Sequence, residues 1–120
     1  MEHVGCYRDQ IRDRAMSHLE YAQWRNPQSK TVEDCFQACR AGGYYYMGYQ
    51  FQRQCFCAHQ TEDVRRHGKA DNCQNGKGGV ERGNVNAAFD LYQVAHGNLL
   101  WNSWWSLVIP DFCCCEVSPI

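Results

Sequence analysis

The sharpest pattern in the chain runs from Val32 to Ala41. Val32, Cys35, Phe36 and Cys39 recur there at i, i+3, i+4 and i+7, with polar or small residues between them. That spacing lays the four side chains on one face of an α-helix. Both ends carry matching signals. Thr31 stands where an N-cap belongs, and Asp34 three residues on makes a weak form of the capping box. Glu33 and Asp34 in the first turn and Arg40 in the last suit the helix dipole. Gly42-Gly43 supplies the stop.

Strand signals surround this helix. Tyr44 to Phe51 is Tyr-rich and reads as a strand, Gln52-Arg53-Gln54 as a turn, and Gln54 to His59 as a short returning strand. Phe89 to Val94 alternates apolar and polar and predicts a closing strand, with a further short strand over Val4 to Tyr7. Residues 61–86 are rich in charge, Gly and Asn and read mostly as loop. Asp9 to Lys30 fits no single period. It reads as an irregular helical turn followed by a loop ending at Pro27. The pattern changes near Ala95–Asn98. Residues 1–96 form one expected domain, and 97–120 an expected tail outside the fold.

Composition narrows the class. The chain has 120 residues, enough for one domain, and nine are cysteines. That density predicts an oxidising compartment, extracellular or cell-surface, where cross-links persist and stabilise a small core. Twelve Lys and Arg against thirteen Asp and Glu argue against nucleic acid, which needs a basic surface. Seven Tyr and four Trp in a neutral chain suit an uncharged ligand such as a glycan. No charged start, apolar run and small-residue cleavage site precede Gly5-Cys6. The expectation is a leader removed or omitted, or a fragment or incomplete gene model. No segment has the roughly 20 apolar residues of a membrane span.

Six cysteines fall inside the expected domain: Cys6, Cys35, Cys39, Cys55, Cys57 and Cys73. Six allow fifteen pairings. Cys35 and Cys39 share a helix face, about 6 Å apart along the axis. Cys55 and Cys57 share a strand face, about 6.7 Å apart. The spacings match, so a helix lying on that strand can be stapled twice side by side, in either of two ways. Cys6 and Cys73 remain, and would tie the start of the domain to its long loop. A loop of about 20 residues contributes roughly 3 kcal/mol, and one of about 68 roughly 4 kcal/mol, on the chain-entropy estimate. Zinc on Cys55, Cys57 and His59 with Cys73 or Cys39 is the competing reading, but structural zinc sites favour C-x(2–4)-C knuckles over C-x-C. No metal or cofactor is expected. No third group is placed to orient a Cys57–His59 pair as a nucleophile, and Gly76-Lys77-Gly78-Gly79 lacks the residues of a phosphate loop. The chain is expected not to be an enzyme.

These motifs together resemble one family. Gly5-Cys6-Tyr7-x-Asp9, Arg14-Ala15-Met16, Thr31-Val32-Glu33-x-Cys35-x-x-x-Cys39, Gly43-Tyr44-x-x-x-Gly48-Tyr49, Cys55-Phe56-Cys57, Asn72-Cys73 and Leu91-Tyr92-Gln93-Val94 are similar to the WSC domain, over residues 5–94. The resemblance implies an α+β, disulfide-rich module related to PAN/apple domains, with one main helix packed on a short antiparallel sheet. It implies the bridges Cys35–Cys55, Cys39–Cys57 and Cys6–Cys73. It also implies carbohydrate binding, with wall glucans the usual proposal, in fungal wall-stress sensors and in kremen-like and polycystin-like receptors. The family has a fourth bridge soon after Cys73. Gln74 to Asn86 contains no cysteine, so a looser loop is expected there. Gln52, Gln54 and Ala58 also stand where the family commonly has Gly, Glu and Gly.

A three-residue hairpin loop over Gln52 to Gln54 would pair Phe51 with Cys55 and Tyr49 with Cys57. Tyr45, Met47, Tyr49, Phe51, Cys55 and Cys57 would then face the helix. Tyr44, Tyr46, Gln50 and Phe56 would face outward as a sugar platform, flanked by Trp24 and Arg53. A two-residue loop would flip one strand and undo this assignment. The alternative function is a protein–protein interaction module of a receptor ectodomain. In the tail, Trp101, Trp104 and Trp105 read as membrane-surface or partner anchors and Cys113, Cys114 and Cys115 as acylation sites. The tail also reads as read-through sequence not selected to fold, the reading that its abrupt change of composition favours.

Overall fold

The predicted helix is α1, Val32–Ala41, in the computed structural model, which describes residues 1–23, 30–80 and 87–95. The capping box is reciprocal. The Asp34 N–H donates to Thr31 Oγ1 at 3.1 Å, and the Thr31 N–H donates to Asp34 Oδ2 at 2.8 Å. That backbone hydrogen bond from Thr31 is the main reason the Asp34 carboxyl is held below its ordinary range. At the other end the Tyr44 N–H donates to Cys39 O at 3.1 Å and the Gly43 N–H to Arg40 O at 3.0 Å. Gly43 takes a φ of +79°, closing a Schellman-type stop.

Five strands form one antiparallel sheet: β1 Glu2–Arg8, β2 His18–Ala22, β3 Tyr46–Gln50, β4 Gln54–Ala58 and β5 Ala88–Gln93, in the order β1-β5-β3-β4-β2. The architecture is the expected one, a single helix on a short antiparallel sheet with three disulfides. Two local expectations are corrected. First, β2 lies where an irregular helical turn and loop were predicted. It is an edge strand with a register shift between Leu19 and Tyr21, and Leu19 is exposed. The shift breaks the period-two signal. Second, the hairpin turns one residue early, over Phe51-Gln52-Arg53. Tyr49 pairs with Cys55 and Met47 with Cys57. Phe51 and Gln52 adopt φ values of 54° and 58°, and the Gln52 N–H donates to Lys77 O at 2.9 Å. The pairing moves by two residues, so strand residues keep their faces while Phe51 leaves the sheet.

Both faces of the sheet are packed. On one, Met47, Tyr49, Cys55, Cys57, Tyr92 and Val94 meet Cys35, Phe36 and Cys39 of the helix. On the other, Phe56, Ala58, Phe89, Leu91 and Tyr7 meet Ala15, Met16 and Val64 from two loops. Asp9 organises the first of these loops. Its Oδ1 accepts from the Ala15 N–H at 2.8 Å, and its Oδ2 accepts from Arg14 Nη1 at 2.6 Å. Gly48 lets that loop sit down: a Cβ there would come within 2.5 Å of Met16 Sδ and 3.0 Å of Phe89 Cδ2.

The bridges are Cys35–Cys55, Cys39–Cys57 and Cys6–Cys73, with Cα separations of 5.6, 5.5 and 5.9 Å. The first two run side by side from helix to β4. The loop after Cys73 is not slack over its described part. The Gln74 N–H donates to Gly78 O at 2.9 Å, the Gly78 N–H to Asp90 Oδ2 at 2.9 Å, and the Tyr92 hydroxyl to Gly76 O at 2.6 Å. Without the family's fourth bridge a looser loop was expected, but hydrogen bonds to Asp90 and Tyr92 of β5 hold its described part. Among the described residues no helix is long and apolar enough to cross a membrane.

Candidate functional site

The expected sugar platform is not one surface. Tyr44 precedes β3 and so escapes its alternation. It packs on the helix side, where His18 and His59 flank it. His18 pairs with Cys57 and His59 lies two residues beyond it, which puts both rings on that face. The His18 and Tyr44 ring centroids are 5.0 Å apart, and those of Tyr44 and His59 are 4.7 Å apart. Both faces of the phenol are therefore occupied, and only its edge meets solvent. His18 Nε2 lies 2.8 Å from Glu20 Oε1.

Tyr46, Gln50 and Phe56 do share the opposite face, as their parity requires. They are not an open platform. Gln50 is 1% and Phe56 5% exposed, because the loop carrying Ala15 and Met16 covers them. With Asp9, Met16 and Phe89 they line a narrow crevice. Arg14 lies over the Phe56 ring at 5.3 Å. Gln50 Nε2 and Gln54 Oε1 are buried without a hydrogen-bond partner among the described residues. Tyr46 is half-buried and keeps an open rim. Its ring meets Tyr45 edge-on at 4.7 Å and the Arg65 guanidinium at 5.9 Å. Arg53 sits in the β3–β4 turn, partly buried. Trp24 and the tail residues Trp101, Trp104, Trp105 and Cys113 to Cys115 lie outside the described residues.

Other side chains converge beside Tyr46. Arg65 lies over Tyr7 at 5.6 Å as well as over Tyr46, and its Nε donates to the Tyr7 hydroxyl at 3.3 Å. That hydrogen bond raises an already high guanidinium pKa, so the charge is permanent. Arg66 donates to Asp13 Oδ1 at 2.9 Å and to the Arg14 carbonyl. The sequence signal was available in the Arg65-Arg66-His67-x-Lys69 and Arg12-Asp13-Arg14 runs. What it lacked was the packing of one run on the other.

The chemistry of catalysis or of soft-metal binding is not assembled from the cysteines. The Sγ atoms of Cys35, Cys39 and Cys55 lie within 4.8 Å of one another, but each belongs to a bridge. A bridged sulfur is neither a thiolate nucleophile nor a strong zinc ligand.

Fold and bridges together define a disulfide-stapled α+β module whose helix is clamped to its sheet. The WSC domain family model matches residues 3–80, and the chain belongs to that family, whose modules are of a carbohydrate-binding type. The fold runs past the match, since β5 lies between β1 and β3. Among curated relatives, xylosyltransferase oxt of Drosophila pseudoobscura pseudoobscura is 38% identical over 58 residues, covering 48% of this chain and 6% of the relative. Xylosyltransferase sqv-6 of Caenorhabditis briggsae is 28% identical over 76 residues, covering 63% and 9%. A WSC domain-containing protein of Arthroderma benhamiae is 31% identical over 61 residues, covering 51% and 6%. The chain thus spans less than a tenth of the length of these relatives.

Proposed function

We propose that this chain is a non-catalytic polysaccharide-binding module, acting in the secretory pathway or outside the cell as one part of a larger protein. Membership of the WSC family carries the reading. Two relatives named as xylosyltransferases support a setting in which glycans are handled. In such a protein the module would keep the polymer near a separate catalytic domain. The three bridges suit that compartment.

The contact surface in this reading is the open rim of Tyr46 on the second face. Sugar C–H faces lie against such a ring, and their hydroxyls meet neighbouring side chains. Gln50 and Phe56 act from below by fixing the loop that frames it, and the Tyr44 edge and Arg53 are separate, secondary contacts. The test is retention of the full chain on insoluble glucan, xylan and chitin. Tyr46→Ala is expected to weaken retention with the circular dichroism spectrum unchanged, and Tyr44→Ala to weaken it less. Retention on none of these or on acidic polysaccharides, with a protein captured instead, would move the reading to a protein–protein module.

A further inference from the structure

We infer that the favoured ligand of this module is an anionic polysaccharide, held by a basic strip beside Tyr46. The inference rests on the carbohydrate reading and names the charge class of its ligand. The chain as a whole is nearly neutral, but its charge is not evenly spread. Two short loops, residues 9–17 and 63–70, pack on each other and between them carry Arg12, Arg14, Arg65, Arg66, His67 and Lys69. The Arg66 contacts to Asp13 and to the Arg14 carbonyl join the two loops. Lys69 pairs across from Tyr7, which places it next to Arg65 on that face.

The acids in these loops, Asp9, Asp13 and Asp63, offset only part of the cations, and the exposed Asp63 balances one of them. Asp9 is 4% exposed and is spent on Arg14 and the Ala15 N–H. Asp13 serves both Arg66 and His67. Arg12 and Lys69 are exposed and have no acidic partner among the described residues. The two loops together therefore hold five cations against three carboxylates, a net positive charge.

The guanidinium planes are also held in place. Arg14 rests on Phe56, and Arg65 on Tyr7 and Tyr46. Beyond the N–H groups given to Asp9 and to the Tyr7 hydroxyl, each guanidinium has further donors, and one already held on a ring loses less side-chain entropy on pairing with an oxyanion. Sulfate and carboxylate groups along a sugar chain offer such oxyanions, while the sugar faces meet Tyr46. A neutral glucan would leave the cations unused. An acidic peptide would leave the ring rim unused.

The experiment measures affinity of the full chain for dextran, dextran sulfate, polygalacturonate and poly-glutamate across a salt series. Binding to dextran sulfate and polygalacturonate is expected to exceed that to dextran and poly-glutamate and to fall steeply with salt. R12Q/K69Q is expected to weaken the acidic polysaccharides by roughly tenfold, as loss of two cation contacts implies. K30Q/R40Q removes equal charge elsewhere and is expected to change affinity little. Equal loss from both double variants would overturn the strip, as would equal affinity for dextran and dextran sulfate. Poly-glutamate bound as tightly as the acidic glycans would overturn the glycan class and point to a protein partner. If neutral polysaccharides bind but the acidic ones bind no better, the inference fails and the carbohydrate reading stands. If no polysaccharide of either kind binds, both fail.

Discussion

Replacing Cys6 and Cys73 by alanine isolates one of the three bridges in a way the structure makes calculable. The cysteines are 67 residues apart in sequence. The effective loop is shorter, because Cys35–Cys55 already short-circuits the chain between them. Counting through that bridge leaves a closed path of about 48 residues, for which the chain-entropy relation gives roughly 4 kcal/mol. Both side chains are only partly buried, so alanine leaves no core cavity to add to this figure. Cys39–Cys57 behaves differently. With Cys35–Cys55 intact its path is only about 8 residues, which gives roughly 2.5 kcal/mol, with a cavity term on top because both sulfurs are fully buried. The two losses are therefore distinguished less by size than by their effect on the unfolded state. C6A/C73A frees a long loop, expands the denatured ensemble and raises the denaturant slope m. C39A/C57A leaves m nearly unchanged. Urea unfolding followed by far-ultraviolet circular dichroism reads both quantities. A C6A/C73A loss below about 1 kcal/mol, or an m value that rises only in C39A/C57A, would refute the account of which bridge constrains the open chain.

Three further substitutions probe the hydrogen-bonded frame. Gly78→Ala places a Cβ 2.4 Å from Tyr49 O and 2.7 Å from Ala88 O, at a φ of +83°, so main chain must move. A loss of about 2–3 kcal/mol is expected in thermal or urea unfolding. Thr31→Ala removes the N-cap acceptor and is expected to lower stability by about 1 kcal/mol. Tyr92→Phe removes the bond to Gly76 O, worth about 0.5–1.5 kcal/mol. Burial, with help from Asp90, pushes the Tyr92 phenol up to about 12. An unfolded tyrosine titrates near pH ~10. The raised folded value contributes stability that is complete below that pH and is lost as pH climbs toward 12. Absorbance at 295 nm is expected to show one fewer late-titrating phenol in Y92F.

Where the chain carries a regular period, sequence alone reads it. Val32, Cys35, Phe36 and Cys39 show the buried helix face, and the strand parity of Met47, Tyr49, Cys55 and Cys57 survives a hairpin mispredicted by one residue. What stayed hidden is what period does not encode. The Leu19–Tyr21 register shift scrambles an edge strand, and two left-handed residues, Phe51 and Gln52, move a turn. The candidate site suffered from a different gap. Alternation told correctly that Tyr46, Gln50 and Phe56 lie opposite the helix. It could not say that Ala15, Met16 and Val64, from aperiodic loops, would cover that face.

In the proposed reading, that second cover sets where recognition occurs on this fold. A five-stranded sheet with one helix has one face left over, and an exposed apolar face of that size would associate nonspecifically. Here the 9–17 and 63–70 loops close it with three small or flexible side chains inward and cations outward. The same loops therefore complete the core and present the surface. Asp9 couples the two roles, since one carboxyl oxygen fixes the Ala15 backbone while the other holds Arg14 over Phe56. A ligand that engages this strip binds loops held by a buried carboxylate and a packed core, so little ordering is left to be done on binding.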